Sequence, residues 1–269
     1  MSLFQLAFLA AAMGAALSAI MAVAWQVQRT TGHTGWIYVY WTFGTGIVAA
    51  LGSVAPLRAD HPSSARQILV AVLIVVWSLR LGGHILLRTR EVGDDPRYRD
   101  LIMEWGAKAN LRMFLQLQAQ AAVGLIMATS VTLAANNTRP YLGFQDFLGL
   151  ALLVGALAGE AISDLQLRRF RSDPGNRGRI CEAGLWSLSR HPNYFFEWLS
   201  WLAYPLIAID LSGANPLGWM ALLAPACMYW VLVHVSGIPP LEAHMLRSRG
   251  EPFRALQGRT RAFVPFPKA

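Results

Sequence analysis

Charge is scarce in this chain: Asp, Glu, Lys and Arg make up 14% of its 269 residues, against 55% hydrophobic. With a mean hydropathy of +0.38, there is too little polar surface to clothe a water-soluble domain, so that class is excluded. Cysteine is nearly missing as well; Cys181 and Cys227 alone cannot make a disulfide framework. No Cys/His group has metal-ligand spacing, so no metal is expected. There is no basic residue before Arg29, and without a charged leader the N-terminal apolar run reads as a retained spanning helix. Internal repeats and long linkers are also missing, which leaves 1–269 as one membrane-embedded domain.

What is there is a series of long apolar runs. Seven stretches, at about 3–27, 34–56, 66–88, 111–134, 145–167, 192–210 and 216–236, reach or approach the ~20 residues that span a bilayer. Runs of this length without alternation are helices, because in lipid each segment must satisfy its own backbone. The fold expected is therefore an all-α integral membrane protein with seven transmembrane helices. Lys and Arg check the count. The third loop (Arg88, Arg90, Arg97, Arg99, Lys108, Arg112), the fifth (Arg168 to Arg190) and the tail (Arg247 to Lys268) are heavily basic, whereas the others hold at most Arg58 with Arg66. By the positive-inside rule the heavy connections and the C-terminus face the cytoplasm and the N-terminus lies outside. The same rule accounts for the net charge of +8 without a nucleic-acid partner.

Within the third loop, Gly93-Asp94-Asp95-Pro96 reads as a turn. Asn136-Asn137-Thr138 matches a glycosylation acceptor, read as a chance match. After Ile238-Pro239-Pro240 breaks the last span, 241–257 is short, amphipathic and basic, and is expected at the interface or folded back as a lid.

Ionisable groups inside a span are costly unless paired, so each is a functional candidate. Glu160, Asp164 and Arg168 are spaced i, i+4, i+8 on one face of the fifth span; Asn193 and Glu197 are likewise i, i+4 on the sixth, and Arg80 and His84 on the third. Pro192 starts the sixth span, where proline is tolerated and the next amides are left open. Open N–H groups beside Arg168, Arg169, Arg171, Arg177 and Arg179 form an anion site. Guanidinium matches phosphate geometry, so a phosphorylated cofactor is the expected ligand. Positive-inside topology explains the number of arginines but not the buried acids beside them.

These motifs carry a resemblance: Glu160-x3-Asp164-x3-Arg168-x2-Arg171, Arg177-Gly178-Arg179, Glu182-x-Gly184-Leu185-Trp186, Arg190-His191-Pro192-Asn193-Tyr194-x2-Glu197-Trp198 and Phe263-Val264-Pro265-Phe266. Over about 145–269 the chain resembles the membrane steroid 5α-reductases and their bacterial relatives, NADPH-dependent reductases with seven helices. The resemblance implies that Asp164, Arg171, Arg179, Asn193 and Glu197 hold NADPH, with Glu160, Arg168, His191 and Tyr194 beside them. It implies hydride transfer to the β-carbon of an enone in a steroid or related lipid, in the bacterial inner membrane, with the cofactor on the cytoplasmic side. It also divides the chain into substrate-cavity helices over 1–110 and a cofactor-binding half over 111–269. No obligate protein partner is implied. Animal members polarise the ketone with a glutamate on the second helix and a tyrosine on the third, but here the second span has no acid. Tyr38, Tyr40, Arg80 and His84 are the donors at hand, and Arg80 with His84 are the choice for catalysis.

The competing expectation is an S-adenosylmethionine-dependent membrane methyltransferase of the isoprenylcysteine or phospholipid type, where Arg-His-Pro-x-Tyr also opens a late helix. The acids ahead of the arginine loop favour the reductase. So does the number of arginines, since S-adenosylmethionine is cationic and brings no phosphate. A lipid binder or transporter would leave Asp164, Asn193 and Glu197 without a reason to sit beside that loop.

Overall fold

Eleven α-helices follow one another in the computed structural model, which describes residues 2–55, 64–92 and 96–266. They are α1 (Leu3–Thr31), α2 (Gly35–Val54), α3 (Ala65–Val92), α4 (Pro96–Trp105), α5 (Ala109–Ala135), α6 (Phe144–Ser172), α7 (Pro192–Trp201), α8 (Ala203–Ala208), α9 (Leu223–Trp230), α10 (Ile238–Arg249) and α11 (Glu251–Arg259). The described residues contain no strand, only an isolated parallel bridge between Ser189 and Arg261. The turn read at Gly93-Asp94-Asp95 lies outside the described residues.

Six helical stretches among the described residues are long and apolar enough to cross a membrane: Leu3–Thr31, Gly35–Val54, Ala65–Arg90, Leu101–Ala135, Phe144–Ser172 and Pro216–Arg249. The run over 192–210, expected as one continuous span, is instead α7 followed by the short α8. Pro205 has no N–H to offer the Trp201 carbonyl, so the ladder stops there and Leu202 turns back to Leu199 and Ser200. The fifth span runs further than its apolar stretch, to Ser172, which puts Arg168, Arg169 and Arg171 on a helix rather than in a loop. Cations in a last helical turn face the negative end of the helix dipole.

The chain divides into two compact units, Met1–Phe147 with Tyr204–Ala224, and Leu148–Ala203 with Pro225–Ala269. In the first, α1, α2, α3 and α5 pack around Leu17, Met21, Ile37, Ile74, Trp77 and Leu117, all buried. Gly46 lets α2 approach α3 closely: a Cβ there would lie 2.2 Å from the Ser78 hydroxyl. Small residues at such contacts are how membrane helices gain packing where lipid offers no hydrophobic drive.

One end of this unit is tied by a buried polar knot. Arg66, 3% exposed, donates through Nε to Asp146 Oδ1 at 2.7 Å and through Nη2 to Oδ2 at 3.1 Å. Its remaining donors reach the carbonyls of Asn137 (3.2 Å), Arg139 (2.6 Å) and Tyr141. Asn137 donates to the carbonyls of Ile207 and Ala208 at 2.8 and 3.0 Å, and Arg139 Nη2 to Ile207 at 2.8 Å. The first turn of α3, the segment between α5 and α6, and the end of α8 thus meet at a single end of the unit. Arg66, read from sequence as a loop charge, is a buried strut. Asn136, the acceptor of the glycosylation match, spends its amide on the Thr132 carbonyl at 2.9 Å.

Candidate functional site

The second unit contains every residue expected to hold a cofactor. Gly159 sets the geometry on α6: a Cβ at this position would fall 2.4 Å from the Phe196 ring, so only glycine lets the ring of α7 lie on the α6 backbone. That approach aligns the polar faces of the two helices. Asn193 Nδ2 comes to 3.5 Å from Asp164 Oδ1, both side chains half-buried. Glu160 and Glu197 are buried, at 4% and 6% exposure, and Glu197 Oε1 accepts from the Trp201 indole at 2.9 Å, one turn on. Arg168 and Arg171, at the end of α6, and Arg179, in the loop that follows, are exposed.

The loop leaving α6 is fastened back to it. Trp186, buried, donates from its indole to the Ser163 carbonyl at 2.9 Å, and Gln166 accepts from the Leu185 amide at 2.9 Å. Gly184 makes the turn at φ +59 directly over Gln166, where a side chain would be both strained and blocked. The Gly-Leu-Trp motif is therefore a clasp. Cys181, in the same loop, is buried, and burial pushes its thiol above the ordinary range, which makes it an inert thiol.

The start of α7 is held from the C-terminal segment. Arg190 grips Glu242 of α10 through Nε to Oε1 at 2.7 Å and Nη2 to Oε2 at 3.1 Å. His191 Nε2 sits 3.0 Å from Oε1, and Gln257 of α11 donates to Oε2 at 2.7 Å. Since the carboxylate only accepts, the proton of the His191 ring is on Nε2. Ser189 donates to the Phe263 carbonyl at 2.9 Å, and the Arg190 amide to Arg261 at 2.9 Å. Burial pushes His191 below the ordinary imidazole range; the bond to Glu242 pulls it up and Arg190 pushes it down. The Arg190–Glu242 pair is already neutral, so a proton on His191 would leave the buried cluster with a net charge.

A family model described as a protein of unknown function, DUF1295, matches residues 24–260. The chain belongs to the DUF1295 family. No curated protein and no solved structure matches it significantly.

In this DUF1295 chain the residues singled out from sequence fall into four groups. Glu160, Asp164, Asn193 and Glu197 lie on the facing sides of α6 and α7; Arg168, Arg171 and Arg179 are exposed near the loop. His191 is occupied by Glu242, and its ring stacks on Tyr194 with centroids 5.6 Å apart and planes 14° from parallel. Arg80 and His84, half-buried one turn apart on α3, belong to the first unit. Sequence reasoning missed Glu242, Gln257 and Arg259. Glu242 was open to detection as the lone acid of α10. The 241–257 segment, expected as a lid or an interfacial helix, is folded back onto 189–191 by these bonds. Phe263, from the closing motif, packs edge-on against Phe195, Trp198 and Tyr229 at 5.5 to 5.7 Å.

Proposed function

We propose that this protein is an NADPH-dependent reductase that saturates a carbon–carbon double bond conjugated to a ketone in a steroid-like lipid. In this reading seven spans cross the membrane with the C-terminus in the cytoplasm, and the cofactor enters from the cytoplasmic side. The observation that carries it is the approach of Asp164 and Asn193 to 3.5 Å on facing helices, with exposed Arg168, Arg171 and Arg179 nearby in the chain. Family membership supports it too, since DUF1295 is associated with steroid 5α-reductase-like membrane proteins.

The donor set fits a dinucleotide phosphate. Exposed guanidiniums would take the phosphates, the uncapped first turn of α7 would add amide donors, and Asp164 with Asn193 would take hydroxyl and amide groups. Arg190 is not part of this set, because Glu242 and the Thr260 carbonyl already hold it. Bound NADPH supplies the hydride. The chain's own part is to bind and orient, and to present a donor to the ketone oxygen, for which Arg80 and His84 are the candidates. In an apolar cavity one such donor is worth about 3 kcal/mol in the transition state.

The test is direct binding to purified protein in detergent micelles. NADPH should bind more tightly than NADH, and S-adenosylmethionine not at all. Asn193→Ala and Arg171→Ala should each weaken NADPH about tenfold without altering thermal unfolding, the loss of one charge-assisted contact. Binding of S-adenosylmethionine in place of NADPH would transfer the assignment to the methyltransferase class.

A further inference from the structure

Inside the second unit, the loop after α6 and the helix α11 line an open cleft of about 670 Å³, within the range of small-molecule sites. Its construction is uneven in an informative way. Phe170, from the end of α6, and Ala255, from α11, are among its apolar lining, and Arg179, Glu182, Arg259 and Asn176 are its polar lining. Helix α11 is turned by its buried Phe253 and Leu256 so that Ala255 and Arg259 face the cleft. Across it, Arg259 Nη2 pairs with Glu182 Oε2 at 2.6 Å, with the two side chains 54% and 40% exposed.

An exposed ion pair contributes little to stability, so this pair has no structural need to exist. An aromatic ring and two guanidiniums lining one cleft supply what a purine nucleotide carrying a phosphomonoester requires: stacking for the base, bidentate pairing for the phosphate. We propose that this cleft takes the adenosine end of the cofactor, and that Arg259, with Arg179, binds its 2′-phosphate. This rests on the NADPH reading and names the residue that would make the choice between NADPH and NADH. Glu182 holds Arg259 until a phosphate displaces it. With NADH, which offers only a hydroxyl there, the ion pair stays closed. Glu182 thus works against the phosphate in the resting state and sets how strong the preference becomes.

The experiment uses the full chain in detergent, with 2′,5′-ADP and 5′-AMP as probes and calorimetry as readout. Wild type should bind 2′,5′-ADP at least tenfold more tightly than 5′-AMP. Arg259→Gln should erase about tenfold of that preference, the value of one charge-assisted contact, and leave 5′-AMP unchanged. Glu182→Gln should strengthen 2′,5′-ADP two- to tenfold, on the order of an exposed ion pair's worth. Both positions are exposed, so neither variant disturbs the core. NADPH binding with an unchanged NADPH/NADH ratio in Arg259→Gln would overturn this inference and leave the reductase reading standing. Displacement of the probes by phosphatidic acid micelles, with no NADPH binding by wild type, would overturn both and make the cleft a lipid-headgroup site.

Discussion

Two buried ionic groups show how much one side chain can carry. Asp146 is completely buried and, among the described residues, is the carboxylate that the Arg66 guanidinium reaches, the other donors ending on carbonyls. Removing it strands a buried cation, a loss of about 3–5 kcal/mol. Asp146→Ala should therefore lower the unfolding free energy in detergent by that amount, and Asp146→Ala with Arg66→Met by clearly less; equal losses would mean the pair is not coupled. His191 yields a pH prediction. Its folded state resists protonation, whereas the unfolded chain takes the proton near the ordinary value of about 6.5. The folded pKa is the lower one, so its stability contribution is complete above about pH 6.5 and drains away as pH falls toward the folded value. Glu242, Arg190 and the stacked Tyr194 are the groups that face it. Melting temperature should drop as pH falls from 7 to 5.5, across the ordinary imidazole value of about 6.5, and His191→Gln should flatten that drop. A slope unchanged by the substitution would show that other groups govern it.

At the scale of elements, α6 and α7 make the candidate site and one glycine sets their distance. Gly159→Val would force the Phe196 ring away, an overpacking cost of about 1–3 kcal/mol, and part Asp164 from Asn193. NADPH affinity should fall, and Phe196→Ala in the same chain should recover part of it. Affinity that ignores Gly159→Val would detach the site from this helix contact. The helices and the two polar faces were legible because helical periodicity places i and i+4 together. The break between α7 and α8 was legible in Pro205, had the apolar run not outweighed it. Contacts across long stretches of sequence were not. Glu242 lies 52 positions from Arg190, and neither period nor spacing links them; its short basic helix read as an interfacial segment because only a tertiary contact distinguishes the two. Arg190 was counted among the loop arginines for the same reason, since sequence shows a charge but not its partner.

The molecule as a whole joins a scaffold unit of long apolar helices to a unit in which polar side chains gather. The first is stapled by small-residue contacts and the Arg66 knot, the second by the Trp186 clasp, the Glu242 grip and the aromatic cluster at Phe263. Composition alone made membrane residence legible, because 55% hydrophobic content leaves no other solvent for the chain. The chemistry was legible only where charge sits beside apolar sequence. The donor proposed to activate the substrate, Arg80 or His84, was the least so, since the second span has no acid and half-buried donors on α3 carry no signature of their own. In the proposed reaction a hydride from NADPH reaches an enone carbon. The protein in detergent should be given NADPH deuterated at the donated position together with a 3-oxo-Δ4 steroid, and the product read by mass spectrometry. Deuterium should appear on the β-carbon of a saturated ketone, formed in step with NADPH consumption. An unchanged steroid with NADPH intact, across a panel of lipid enones, would contradict it.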